Sequence, residues 1–285
     1  MSLVQLNSVY TAIPESIEPY QPEVSKLFIE LGQRHLASFV SNNTGELVYE
    51  YELFQLDEKL TPSILSEYIL NKDYNSKFFQ SVSFIHNSKE FVLIPAEFHK
   101  PELNKNIIET LYGDLLDFEL FQDEIDRLNI INLFGVDEPI FQEINHLFPL
   151  AINTHINSIY LKSIFSQRKI LQSQTIKLYF YPLYFNVAII KDGQLQIVQS
   201  FYYETTDDAI FFLLTLIDQF NLDVDIVDIQ VGGIIEEDSA LYNELKRQFQ
   251  YIDLDMNTAT KIVSHEPPAQ PLHYFTPLFL SATCE

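Results

Sequence analysis

The feature that most constrains this chain is a hairpin signal that occurs twice. Gly45-Glu46-Leu47 in the first half is answered by Gly193-Gln194-Leu195 in the second. Each glycine turn joins the second and third of three strand-like runs. In the first half these runs are Lys26–Leu31, Leu36–Val40 and Leu47–Phe54, short and rich in apolar and aromatic residues. In the second half they are Ile176–Tyr181, Leu183–Ile190 and Leu195–Tyr203.

The elements after the three runs also correspond. In the first half a helix starts at Thr61-Pro62, an N-cap followed by proline, with Ile64, Leu65, Tyr68 and Ile69 on one stripe. Ser81–Ile85 and Phe91–Ile94 read as strands, and a second helix from Pro101 carries Leu103, Ile107, Ile108 and Leu111 up to Gly113. In the second half Thr205 caps a helix reaching Phe220, apolar nearly all round and therefore expected to be buried on more than one face. Val224–Val231 reads as a strand, Ser239–Phe249 as an amphipathic helix ending in Lys246-Arg247, and Tyr251–Leu254 as a last strand. The order βββαβα therefore appears twice, which predicts a duplicated α/β architecture. The expected division is a loose N-terminal arm over 1–24, a first lobe over 25–150 and a second over 151–285.

Charge excludes some partners. With 17 Lys+Arg against 40 Asp+Glu the formal net charge is −23, so the chain repels a phosphate backbone at long range. The densest basic stretch holds only Lys162, Arg168 and Lys169. Direct binding to nucleic acid or to an anionic membrane surface is not expected. The longest apolar stretches, Tyr179–Ile190 and Ala209–Ile217, are too short to cross a bilayer. Met1–Gln21 has no basic segment leading into an apolar core, and Cys284 is the single cysteine. A cytoplasmic setting is the expectation.

A duplicated βββαβα unit resembles the ribonuclease H-like, actin-like ATPase fold shared by actin, sugar kinases and heat-shock chaperones. Val231-Gly232-Gly233-Ile234-Ile235, at the end of a strand and before a helix, resembles the adenosine-contacting Gly-Gly turn of that superfamily. Ile29-Glu30-Leu31-Gly32-Gln33 falls where its first phosphate-binding turn would lie. Phe91-Val92-Leu93-Ile94-Pro95, the Gly232-Gly233 turn and the tail from His273-Tyr274-Phe275 to Cys284-Glu285 are similar to a bacterial family of about this length, which adopts the fold without an established activity.

The resemblance implies a test of the residues. Actin-like ATPases need a carboxylate near the end of the first strand of each half, facing Mg²⁺ and the attacking water, and glycine hairpins whose N–H groups cradle phosphates. Here Glu30-Leu31-Gly32 supplies one carboxylate and one glycine. The matching place in the second half, Phe180-Tyr181-Pro182-Leu183, has neither, and its proline removes a backbone donor. Glu30, Gly32, Gly232 and Gly233 are thus the candidate residues for Mg-ATP only if the site works. Their plain readings are a surface or edge carboxylate for Glu30 and a structural turn for Gly232-Gly233.

Other constellations are weaker still. Asp223, Asp225 and Asp228 read as solvated acids at a strand entrance. No two of the seven histidines share a metal-ligand spacing, and Cys284 could meet His273 only through a folded-back tail. No catalytic residue and no metal site is expected. Glu236-Glu237-Asp238 and Asp114–Asp126 are either solvated acids or a docking surface for a basic protein, with Phe118, Phe121, Tyr202 and Tyr203 as the aromatics near them. The favoured reading is a non-catalytic interaction or scaffold protein whose partner presents a basic surface. The competing reading is an active Mg-ATP-dependent ATPase or phosphotransferase, and a third is a structural subunit of a cytoplasmic assembly.

Overall fold

The computed structural model of the chain describes residues 8–12, 20–113, 117–166, 174–256, 261–262 and 271–283. The chain divides into two units, Met1–Gln167 with Ala259–Ala269 and Leu278–Glu285, and Arg168–Thr258 with Gln270–Pro277. The first unit runs β1 (Ser8–Ala12), β2 (Ser25–Gly32), β3 (His35–Asn42), β4 (Leu47–Gln55), α1 (Pro62–Asn71), β5 (Ser81–Asn87), β6 (Phe91–Pro95), α2 (Asn104–Tyr112), β7 (Phe118–Ile125), β8 (Ile130–Asp137), α3 (Glu138–Leu147), β9 (Ile152–His155) and α4 (Ile156–Ser166). The second runs β10 (Gln174–Phe180), β11 (Tyr184–Lys191), β12 (Gln194–Tyr202), α5 (Thr206–Gln219), β13 (Asp228–Gly233), α6 (Ala240–Gln248) and β14 (Tyr251–Leu254). β15 (Lys261–Ile262) belongs to the first unit, and α7 (Thr276–Phe279) spans the point where the chain passes back into it.

The duplication is written in the sheets. The main sheet of the first unit contains the order β4-β3-β2-β5-β9, and that of the second is β12-β11-β10-β13-β14. In both, the first three strands form an antiparallel meander, and the fourth and fifth add in parallel beside the first. The glycine turns at Gly45 and Gly193 sit at the expected hairpins, each with a φ of +74°. Beyond β4 the first sheet is extended by β1, antiparallel, and by β15, parallel.

Helices cover these sheets where their apolar stripes dictate. Thr61 caps α1 by accepting from the Ile64 N–H, and Ile64, Leu65, Tyr68 and Ile69 are buried as their spacing requires. They share a core with Leu27, Ile29 and Leu31 of β2 and with Ile140 and Ile144 of α3. By strand alternation Phe28 and Glu30 face the other way, where the Phe28 and Phe39 rings stack at 4.5 Å and Phe39 meets Phe279 edge-on. In the second unit Ile176, Leu178 and Phe180 of β10 pack with Ile210, Leu213 and Ile217 of α5 and with Leu241 and Leu245 of α6.

Four expectations are corrected. The helix completing the first βββαβα copy is α3, not α2: β6, α2, β7 and β8 are an insertion between β5 and α3, in which β6, β8 and β7 form their own small sheet. The amphipathic stripe of α2 is satisfied locally, with Ile108 buried against Ile94 and Leu133, so its pattern could not reveal which sheet it serves. Ser8–Ala12, placed in a loose arm, is a strand because the open edge of β4 offers it a partner. The first unit extends past residue 150 through α4, where Ile156, Ile159, Tyr160 and Leu161 are buried. Lastly, α5 is not buried all round: Phe211 is 65% and Leu214 38% exposed.

Candidate functional site

β2 is flanked by β3 and β5 in the first sheet, and a carboxylate on a covered face of it needs partners inside the protein. Glu30 is 2% exposed, not a surface or edge residue. Its Oε1 accepts from Asn87 Nδ2 at 2.7 Å and from His35 Nε2 at 3.0 Å. Asn87 ends β5 and His35 opens β3, so three adjacent strands deliver the three groups to one place. Two turn residues, Gln33 and Arg34, lie between β2 and β3, and their carbonyls accept from the Leu60 and Leu56 N–H groups at 3.0 and 2.9 Å. Gly32 is what lets His35 in: a Cβ there would lie 1.8 Å from His35 Cε1. The imidazole therefore lies directly against the glycine.

In the second unit the corresponding turn is Phe180-Tyr181-Pro182-Leu183. The Tyr181 N–H donates to the Tyr184 carbonyl at 2.8 Å, and the two tyrosine rings stack at 5.1 Å. Beside it, β13 pairs in parallel with β10, setting Gly232 opposite Tyr179 and Gly233 opposite Phe180. A Cβ on Gly232 would touch the Tyr179 ring at 3.0 Å, and one on Gly233, with φ at +79°, would strike the Phe180 carbonyl oxygen at 2.2 Å. The Ile234 N–H then donates to that same carbonyl at 2.8 Å. Tyr179 is anchored at its far end, its hydroxyl donating to Asp255 Oδ2 at 2.7 Å beside the Lys177 ammonium at 2.9 Å. The segment near the C-terminus closes the arrangement: His273 Nε2 donates to the Ile235 carbonyl at 2.8 Å and Thr276 Oγ1 to the Asp255 carbonyl at 2.6 Å. Burial holds the His273 pKa below its usual value, which favours the neutral ring. Glu30 and Gly32 thus belong to one unit, Gly232 and Gly233 to the other.

One polar cluster escaped sequence reasoning. His86 and His155 are far apart in the chain, but the parallel pairing of β5 with β9 makes them direct neighbours. His86 Nε2 donates to Asn153 Oδ1 at 2.8 Å, and His155 Nε2 to the Ser88 carbonyl at 3.1 Å. Desolvation lowers the His86 pKa to about 4 and that of His155 to about 3, the latter aided by repulsion from His86. Asp123 accepts from the His155 N–H at 2.8 Å and from Thr154 Oγ1 at 3.0 Å, yet burial still raises its pKa. No spacing rule could have joined these residues, because strand register and not sequence distance brings them together.

The remaining candidates resolve individually. Asp223 caps its own turn by accepting from the Asp225 N–H at 2.9 Å, and Asp228 accepts from Gln230. Glu236, Glu237 and Asp238 are exposed. The acidic stretch from Asp114 is, over 118–125, the strand β7; residues 114–116 lie outside the described residues, as does Cys284. Phe121 stacks on Phe134 and meets Phe141, and Tyr203 packs on Phe180 and Phe185, so both serve packing first. Among the described residues no group of three His, Cys, Asp or Glu could hold a metal ion. Among the same residues no helix is long and apolar enough to cross a membrane.

Two sheets with one strand order, each meander followed by parallel strands, define an actin-like ATPase fold. A crystal structure from Bacteroides thetaiotaomicron, of a protein with actin-like ATPase fold and unknown function, is similar over 93% of this chain and 97% of that one, with 18% identity and a TM-score of 0.78. A chain of the PilM-PilN type IV pilus biogenesis complex is similar over 92% and 97%, with 11% identity and a TM-score of 0.57. The protein belongs to the family described as protein of unknown function (DUF3822), which matches residues 14–252. No curated protein matches it.

Proposed function

We propose that this protein works by binding other proteins, as an interaction or scaffold component of the cytoplasm, and that its actin-like nucleotide site is given over to side-chain packing. The observation that carries this reading is the His35 imidazole, seated against Gly32 and bonded to Glu30. A phosphate at that turn would need the space the ring fills and would face a carboxylate already committed to His35 and Asn87. The second unit argues the same way, since Pro182 offers no donor and Tyr179 and Phe180 lie against Gly232 and Gly233. These residues do not fit Mg-ATP. That a protein of this fold occurs in the PilM-PilN complex supports a binding role. The net charge of −23 favours a partner with a basic surface, because complementary charge speeds encounter and selects among partners.

Melting curves with and without Mg-ATP test the reading. The expected result is no upward shift and no hydrolysis above buffer. A working site at a ligand concentration 100 times its Kd would add about 2.7 kcal/mol of stability, an easily seen displacement. A clear shift that vanishes in Glu30→Gln would overturn the proposal in favour of an active ATPase or phosphotransferase.

A further inference from the structure

The two sheets differ at one topologically equivalent edge. In the first unit the third strand of the meander, β4, carries β1 and β15 along its outer side. In the second unit the equivalent strand is β12, and among the described residues it pairs only with β11. One sheet supplies its own added strands, and the other ends, among the described residues, on an edge that no strand covers.

The backbone and composition of β12 suit strand addition. The Tyr203 N–H donates to the Leu183 carbonyl at 3.1 Å, which sets the antiparallel alternation. Phe201, Gln199 and Ile197 accordingly bond to β11, and the N–H and C=O groups of Val198 and Ser200 point out of the sheet. Proteins normally blunt such an edge with charge, proline or a bulge. β12 has neither a charged residue nor a proline from Gln194 to Tyr202, and its bulge at Gln196 leaves Ile197–Phe201 regular. An apolar strip continues from the strand onto α5: Phe201 stacks on Phe212 at 4.9 Å, Phe212 meets Phe211 at 5.8 Å, and Phe211 and Leu214 are exposed.

The charges at the two ends state what can dock. Exposed Asp192 precedes the strand, and exposed Glu204 and Asp207 come after it. Lys191, which precedes Asp192 in the chain, is engaged elsewhere, its ammonium donating to the Phe220 and Asn221 carbonyls at 3.1 and 3.0 Å. We infer that β12 is the docking edge for an extended segment of a partner protein, apolar at alternate positions and carrying Lys or Arg at both ends, which adds a sixth strand to this sheet. Main-chain hydrogen bonds supply affinity, Phe211 and Leu214 receive apolar side chains, and the three acids receive the basic ends. A second copy of this chain fits worse. Antiparallel β12–β12 pairing would set Asp192 of each copy against Glu204 and Asp207 of the other, between two chains of charge −23.

This inference rests on the reading that the chain works by binding proteins. It is tested on the full chain with a labelled peptide, Lys-Lys-Val-Thr-Val-Thr-Val-Lys-Lys, followed by fluorescence anisotropy without nucleotide. The peptide is expected to bind, and to lose about tenfold or more in affinity when alternate amides are N-methylated or when Glu replaces its Lys residues. A protein carrying Gln196→Lys and Gln199→Lys, two exposed positions, is expected to show the same loss with an unchanged melting temperature. Absence of binding, or equal binding by the N-methylated peptide or by the double variant, overturns the edge. A wild-type dimer in sedimentation that the double variant abolishes overturns it in favour of a second copy. Because no nucleotide is present, these results strike the edge alone, and an ATP response in the melting assay strikes the parent reading alone.

Discussion

Lowering the pH from 7 to 5 is expected to cost the wild-type chain about 4 kcal/mol more stability than it costs the double variant His86→Gln, His155→Gln. Folded, these imidazoles stay neutral until the pH approaches about 4 and about 3. Unfolded, each takes its proton near pH 6.5. Between those values the unfolded state binds more protons, so stability is complete above pH 6.5 and is lost as the pH falls towards the folded values. Each imidazole contributes about 2 kcal/mol over the interval, because one pKa unit is worth about 1.4 kcal/mol. Buried Asp123 acts in the opposite sense, its raised pKa favouring the folded state as acid is added. Acidification also relieves the repulsion of a strongly negative chain, and buried His273 loses stability with the pair, so the wild-type curve alone would mix several effects. Urea titrations of both proteins at pH 7, 6 and 5 isolate the histidine part. Parallel losses in the two proteins would show that the pair is hydrated or already charged in the folded state.

The two hairpin glycines, alike in sequence context and in φ, are expected to respond very differently to alanine. At Gly193 nothing lies within 4 Å of an added Cβ, so Gly193→Ala pays only for placing alanine at positive φ, about 1 to 2 kcal/mol. At Gly45 the new Cβ would stand 2.2 Å from the Ala282 carbonyl oxygen, which is backbone and cannot rotate aside. The Ala282 segment is itself pinned, with Phe279 packed edge-on against Phe39 and Tyr51. Gly45→Ala must break that seat or open the hairpin, in which Asn42 Oδ1 accepts from the Leu47 N–H at 3.0 Å. The expected loss is about 3 kcal/mol or more beyond that of Gly193→Ala. Equal losses in chemical denaturation would show that the segment after Leu278 does not rest on this turn.

Legibility varied with the range of the interaction that decided each feature. The meanders, the Thr61 and Thr205 caps and both glycine turns were readable because each is settled by neighbours within a few residues. Position within the fold was less readable. α2 has a proper amphipathic stripe and α3 has another, and nothing local says which one closes the repeat. The sequence singles out Glu30 but reads it as a surface or edge carboxylate, because a strand's hydrophobic pattern gives its faces and not what covers them. Nothing in the sequence sets His35 apart from the other six histidines, although it bonds to Glu30 and lies against Gly32.

By itself the sequence determined the two three-strand meanders and the capped helix after each, since period, caps and turn glycines are short-range properties carried by the residues concerned. It also determined the formal net charge of −23. Tertiary structure alone decided which strands touch, and so which polar groups share a low-dielectric space. Strand pairing brought His86 against His155, placed Glu30 between His35 and Asn87, laid Tyr179 over Gly232, and, among the described residues, covered the edge of β4 and not that of β12. Those outcomes depend on register between segments distant in the chain, and register is fixed by the packing of whole faces, a quantity no single stretch of sequence contains.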